Sequence, residues 1–496
     1  MKTSIRLLLL LLATLMAFSC FAACDSSSEN DTSEGASANQ GNASDVTPED
    51  TEKPDTHPTI EKTDYADDLF LHVFERPSLL WVEESKDDVF TEALFARQQK
   101  LYDYLGVELY AIQTGNLNEY GDAFTTAVKN KDGSVDVLVC SAYVSIADFI
   151  IDGYLRDYND FDQIDLSADY WKTDYMEEVM LGDKIYLGYS EFNIFNTHVL
   201  SFNKKMLEQY SDALDESIYD TVRNYRWTID KMISLANLVY IDTSADGKTP
   251  DDTFGITGHQ WIPFIGFLHA CDIPLVEQDD SGSYRVSVYN STYQAKTTDL
   301  VEKLLALAKS DSAYFRFRIE DTENIPLSSN RVLMHIEGTG GLVSLLEYDI
   351  DFGVVPFPMY DEAQKDVGYR SFNYDGFITF PSYMRNENMS VESIEMLSFF
   401  SDPVQTAYYE KQLGKQASDT PDDSAMLQLV WDGICTDFGL AYSYISSSLD
   451  TNLYMLPTLT NANTSLSIAS HVKSYEDSAN KAIDKWMKKY DKKFGN

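Results

Sequence analysis

From Asp183 to Tyr210 the chain reads DKIYLGYSEFNIFNTHVLSFNKKMLEQY. An apolar strand (Ile185, Tyr186, Leu187) passes through a polar and aromatic segment into a second strand, Val199-Leu200-Ser201-Phe202, and a helix opens at Asn203. A strand that leaves one α/β lobe and enters another makes a hinge, so this stretch predicts two lobes that close on a small solute. The length agrees, because 496 residues are too many for one ordinary core.

On either side of the stretch, strand and helix alternate. Asp87 to Val107 carries Phe90, Leu94, Leu101 and Leu105 at helical spacing and stops at Gly106. Val107 to Ile112 then predicts a strand, Ala123 to Lys129 a helix, and Val135 to Cys140 a buried strand after the turn at Lys131-Asp132-Gly133. That rhythm implies an α/β fold with mostly parallel sheets flanked by helices. Beyond Tyr210, Thr228 or Asp230 caps a helix that runs to Tyr240, Phe254 to Thr257 and Arg331 to Ile336 are strands, and Thr298 to Ala308 is an amphipathic helix. Asp351 to Pro358 is a strand stopped by two prolines and is expected to be the second crossing. Near the end, Val472, Tyr475, Ala479, Ala482, Ile483, Trp486 and Tyr490 mark one face of a long helix.

The first residues carry Lys2 and Arg6, an apolar run from Leu7 to Phe18, and then small residues, which is the pattern of a secretory signal peptide. Phe21-Ala22-Ala23-Cys24 resembles a bacterial lipobox, with Cys24 as the lipidated residue; Cys20 is a weaker alternative site, and the lipobox is favoured over an ordinary signal peptide with a chance cysteine. Asp25 to Pro58 is rich in Ser, Asn, Asp, Glu, Thr and Gly and holds no Phe, Tyr or Trp, so it is expected to be a flexible tether. The predicted divisions are 1–23 for the signal peptide, 24–63 for the tether, 65–192 plus 357–400 for one lobe, and 193–356 plus 401–496 for the other. Cys140, Cys271 and Cys435 form no C-x-x-C pair, which gives neither a disulfide framework nor a zinc site.

The formal net charge of −42 repels phosphate backbones and anionic lipid, which excludes nucleic acid as a partner. No metalloprotease, hydrolase-elbow, nucleotide or dinucleotide motif is present, and the seven histidines show no ligand spacing. Asp242, Ser244, Asp246 and Gly247 resemble the start of a calcium loop, but its twelfth position is Thr253 in place of Glu, which favours a plain acidic turn. No cofactor and no enzymatic activity are expected. Aromatic residues make up 13% of the chain, beside many acids and amides. Sugars present apolar C–H faces to rings and hydroxyls to carboxylates and amides, so the expected cleft is built from Tyr143, Tyr189, Glu191, Asn193, Trp261, Glu337 and Tyr374. Tyr143 and Trp261 suit core packing equally well, and the glycines after Glu337 either hold backbone N–H groups near a ligand or make a plain turn. A secreted glycan-degrading enzyme and a surface glycan-binding adhesin are the alternatives.

At the level of ordered motifs the chain resembles the extracellular solute-binding proteins of ABC importers, in the group that includes maltose-binding protein. Leu200-Ser201-Phe202-Asn203-Lys204-Lys205-Met206-Leu207 looks like that family's crossing strand and helix start, and Trp227-Thr228-Ile229-Asp230 is similar to its tryptophan helix opening. Phe254-Gly255-Ile256, the glycine-rich segment after Ile336, and Phe352 to Pro358 follow in the family's order. The tyrosine-rich C-terminal part departs from it, and no single sugar pocket is matched. The resemblance implies a two-lobe periplasmic-binding-protein fold of discontinuous chain path. It also implies capture of a carbohydrate, an oligosaccharide above all, and delivery by a monomer to the permease subunits. The protein would sit on the extracellular face of the cell membrane, held there only by its lipid.

Overall fold

The computed structural model describes residues 60–86, 88–115, 117–142, 144–193, 197–259, 261–316, 326–345, 348–409, 422–446 and 467–495. Their strands run in chain order β1 (Asp67–Val73), β2 (Val107–Gln113), β3 (Val137–Cys140), β4 (His198–Asn203), β5 (Tyr240–Ile241), β6 (Thr253–His259) and β7 (Val276–Gln278). There follow β8 (Tyr284–Val286), β9 (Ala313–Arg316), β10 (Val332–Gly338), β11 (Phe352–Val355), β12 (Ser371–Phe372), β13 (Phe377–Thr379) and β14 (Ile434–Cys435).

Local chemistry sets the first unit. The Asp88 carboxylate accepts the Thr91 N–H at 2.9 Å and so starts helix Val89–Leu105. Gly106 ends it in the left-handed region at φ 63°, where a side chain is strained. Val107 then enters β2 at once. The first sheet has the order β13-β3-β1-β2, with β2, β1 and β3 parallel and β13 antiparallel to β3. Leu71 is paired with both Ala111 and Val137, and Ile378 with Val139. Leu69, Leu71, Val137 and Ile378 are fully buried, as are Leu94 and Leu101 of the covering helix.

The second sheet has the order β11-β4-β10-β6-β5, with β9 also on β6. Strand β4 is antiparallel to both β10 and β11, whereas β10, β6 and β9 are parallel. Asn203 ends β4 and caps the next helix by accepting the Met206 N–H at 3.0 Å. Thr228 caps helix Ile229–Ala236 through the Lys231 N–H. A smaller parallel pair joins β12, between β11 and β13 in the chain, to β14, which follows β13.

The second crossing differs from expectation. Phe352–Val355 does not cross; it is the edge strand of the second sheet, and the chain stays with that lobe through Phe372. Packing decides this: Trp227 Nε1 donates to the Pro356 carbonyl at 2.9 Å, Phe357 meets Phe267 at 4.9 Å, and Gln364 Nε2 reaches the Ala270 carbonyl at 2.7 Å. The two prolines stop the strand without turning the chain away. The passage to the first sheet comes at residues 373–376, where Gly376 adopts φ 82° just before β13. Residues 402–409 also stay with the first lobe, since Gln405 binds the carbonyls of Glu191 and Asn193. The C-terminal helix Ile468–Phe494 buries Val472, Tyr475, Ala479, Ile483, Trp486 and Tyr490. It touches both lobes, with Asn480 accepting the Val286 N–H at 2.9 Å and Lys493 donating to the Ile151 carbonyl at 2.6 Å. Cys140, Cys271 and Cys435 are free and buried. No helix of the described residues is long and apolar enough to cross a membrane.

Candidate functional site

The carboxyl ends of β1 and β3 open into a hollow, the place where open parallel sheets leave backbone groups and loop side chains for a ligand. It is lined by Phe74, Glu75 and Arg76 after β1, by Cys140 at the end of β3, and by Asn193, Asp375 and Gly376 from the two crossings. Both crossings therefore contribute to one wall. Asn193 is buried; its Nδ2 donates to the Gly376 carbonyl at 2.5 Å, and its own carbonyl accepts Gln405 Nε2 at 2.8 Å. Gly376 is required twice over, by its φ of 82° and because a Cβ there would lie 3.3 Å from the Tyr189 ring and 3.4 Å from Asn193.

Behind this wall stands Arg97, buried at 1% exposure on helix Val89–Leu105. Its guanidinium donates to the carbonyls of Leu80 and Phe192 and to Ser401 Oγ, each at 2.9 Å, and lies 4.7 Å from the Phe192 ring centre. Burial without a carboxylate at hydrogen-bond range pushes its pKa down to about 9. One side chain thus joins the lip of the hollow, the end of the first crossing and the start of helix Asp402–Thr406.

The second lobe presents Glu337 at the end of β10. Its carboxylate accepts the Ser201 hydroxyl from β4. Although Glu337 keeps a partly exposed edge, loss of water around the carboxyl raises its pKa to about 7, with the Ser201 bond opposing the shift. Next to it, His335 is buried and neutral, its pKa lowered by burial to about 4, and its Nδ1 lies 2.7 Å from Thr257 Oγ1. The second passage meets the second lobe through aromatic rings. His198, paired with Gly338 across the sheet, stacks on Phe372 at 5.1 Å and faces Tyr374 at 6.2 Å. The polar and aromatic surface from His198 through Tyr374 leads to Asp375 at the hollow, whereas Glu337, bonded to Ser201, lies on the opposite face of the second sheet from His198.

Of the residues expected in the cleft, Asn193 lines the hollow and Tyr374 stands beside it next to Asp375, whereas Glu337 is not among the hollow's lining residues. Tyr189 is fully buried, its ring 4.7 Å from Tyr175 and 6.4 Å from Trp431, so it backs the wall from inside. Glu191 is half-buried, with its N–H donating to the Tyr170 carbonyl at 2.8 Å. Trp261 opens helix Trp261–Ala270, but its side chain lies outside the described residues, as do Tyr143 and Cys24. Arg97, His198, Gln405, Asp375 and Gly376 were not anticipated. Only Asp375-Gly376, a turn dipeptide directly before a strand, left a signal in the sequence.

The acidic turn folds on itself. Asp242 accepts the N–H groups of Ala245 at 2.6 Å and Gly247 at 3.1 Å, and the Ser244 hydroxyl donates to Asp246. Among the described residues no group of three His, Cys, Asp or Glu is arranged to hold a metal.

No family model and no curated protein matches the sequence. Solved structures do match. UgpB from Mycobacterium tuberculosis, in complex with glycerophosphocholine, superposes with a TM-score of 0.57 at 13% identity, over 84% of this chain and 98% of that one. An ABC substrate-binding protein from Listeria monocytogenes in complex with cycloalternan gives 0.55 at 12% identity, over 84% and 99%. The GacH receptor of Streptomyces glaucescens, solved unliganded and with acarbose, gives 0.52 at 14% identity, over 86% and 98%. The two main sheets, the discontinuous chain path and these superpositions agree on one architecture: the chain has the two-lobe fold of the substrate-binding proteins of ABC transporters.

Proposed function

We propose that this protein is an extracytoplasmic solute-binding protein that captures a carbohydrate, an oligosaccharide above all, and hands it to the permease of an ABC importer. The observation that carries the reading is the wall at the crossings, where carboxylate, amide and aromatic groups from both lobes stand on the segments that a closing motion would turn. Its chemistry suits hydroxyl groups and C–H faces, and no covalent step is needed. The likeness to proteins solved with cycloalternan and acarbose supports the same class. Phe21-Ala22-Ala23-Cys24 and the polar stretch after it support a lipid anchor at Cys24 and a location on the outer face of the membrane. We take the working unit to be a monomer.

Isothermal calorimetry against cyclic and linear oligosaccharides, with glycerophosphocholine and amino acids in the same panel, tests the reading. Saturable binding of an oligosaccharide without turnover is expected; a folded protein that binds only the other classes would overturn the carbohydrate assignment. Mass spectrometry of the membrane-extracted protein should show an acylated N-terminal Cys24, and a Cys24→Ser variant should leave the membrane fraction.

A further inference from the structure

A second hollow lies along β2, the edge strand of the first sheet. It shares no residue with the hollow at the crossings, although the two take consecutive residues of one loop, Leu79 and Leu80 for one and Trp81 and Val82 for the other. Its space for water-sized molecules is about 640 Å³. Four rings line it, those of Trp81, Phe95, Tyr102 and Tyr110, together with Glu83 and Glu108, and no Lys or Arg is among its lining residues. Tyr102 is 49% exposed, and both glutamates face solvent.

The walls are set in advance. Gln98 grips the loop by both groups of Val82, accepting its N–H and donating to its carbonyl at 2.9 Å each. Trp81 is held further by its N–H to the Pro77 carbonyl at 3.0 Å. Tyr110 donates its hydroxyl to Glu108 at 2.8 Å, stacks on Phe70 at 5.6 Å and meets Trp81 at 6.2 Å. Rigid walls lose little freedom when a ligand arrives.

Aromatic faces carry negative potential and attract a cation placed over them, most strongly one that holds its water weakly. Two carboxylates add formal charge of the same sign, no basic side chain in the lining competes for them, and a net charge of −42 concentrates cations near the surface. A neutral sugar would gain the ring contacts but nothing from the charge. An anion would be repelled.

We propose that the edge hollow binds a small organic ammonium solute, with the cationic head over Trp81, Tyr102 and Tyr110 and its charge shared by Glu83 and Glu108. The test is a titration of the purified protein with tetramethylammonium chloride and with choline chloride, followed by NMR, with arginine amide and maltotriose as comparison arms. Saturable binding of the two quaternary cations is expected, weakened about tenfold by Tyr102→Leu and by Glu108→Gln, and reduced by added salt. Tyr102 is exposed, so its replacement leaves the fold intact. Three results would each overturn the proposal: no saturable binding at tens of millimolar cation, maltotriose competing as well as choline, or binding that survives both variants. Binding lost in Asp375→Asn but kept in Tyr102→Leu would place the cation in the hollow at the crossings and overturn it equally. Arginine amide binding more tightly than choline would point to a basic side chain of another protein as the occupant, against a free solute.

Discussion

Replacement of Arg97 separates two costs that usually travel together. Its guanidinium makes three hydrogen bonds of 2.9 Å, two of them to backbone carbonyls with the rest of the site buried around them. A bond from a charged donor contributes about 1.5–3 kcal/mol, and a stranded buried carbonyl costs about 1–3 kcal/mol. Against this stands the cost of holding an ion in the core. The depression of its pKa from 12.5 to about 9 corresponds to roughly 4–5 kcal/mol. Arg97→Lys keeps the buried charge but offers one ammonium in place of a planar fork, so it loses about 3–5 kcal/mol by leaving at least one carbonyl unmet. Arg97→Met strands both carbonyls, yet it returns most of the ion-burial cost. Ser401 stays satisfied in either variant because its hydroxyl also donates to the Leu397 carbonyl at 2.6 Å. The net loss for Met is about 1–2 kcal/mol. Urea unfolding at neutral pH should therefore rank wild type above Met and Met above Lys, the reverse of what charge conservation suggests. Hydrogen exchange should rise at residues 189–193 in both variants, since the Phe192 carbonyl loses its anchor. A lysine variant as stable as wild type, or more stable than the methionine variant, would refute the reasoning.

Glu337 gives a pH signature. Its carboxyl binds a proton more tightly in the folded chain, with a pKa of about 7, than in the unfolded chain at 4.5. Its contribution is therefore most favourable below pH 4.5, and stability is lost as pH rises toward 7. The full shift corresponds to about 3 kcal/mol, and the partly exposed edge reduces it to about 1–2 kcal/mol. Thermal unfolding of Glu337→Gln across that window should show wild type losing this much relative to the variant; a constant difference at every pH would discard the assignment. Gly376→Ala forces a Cβ to 3.3 Å from Tyr189 at φ 82°, which costs about 1–2 kcal/mol. It should also weaken binding of whichever oligosaccharide the calorimetric panel identifies, because Gly376 lines the wall. Unchanged affinity would remove Gly376 from the site.

The two-lobe plan was legible because it rests on local signals. Helix Val89–Leu105 follows from its apolar spacing, its Asp88 cap and Gly106, and β4 with its Asn203 cap forms where expected, inside the second sheet. The second crossing was misplaced because Pro356 and Pro358 look like an exit, whereas Trp227, far away in sequence, binds the Pro356 carbonyl and keeps the segment in place. Arg97 was invisible for a similar reason. A basic residue on an amphipathic helix is ordinarily a solvated one, and only the carbonyls of Leu80 and Phe192 make its burial tolerable. Tyr189 stands in a polar-looking segment, but Tyr175 and Trp431 close over it from other parts of the chain. Side-chain direction at a crossing is set by tertiary packing, and no periodicity records it.

The strand order of the first sheet has a consequence for how the molecule is made. Strand β3 gains its outer neighbour, β13, only after β4 to β12 have been synthesised. Until then its outer edge exposes unpaired N–H and C=O groups beside the apolar run Val137-Leu138-Val139. A chain cut between Cys140 and Phe377 should therefore self-associate through that edge, while one cut after Phe399 has every strand of the sheet. A chaperone that guards this protein during synthesis has its longest task at the lobe that emerges first.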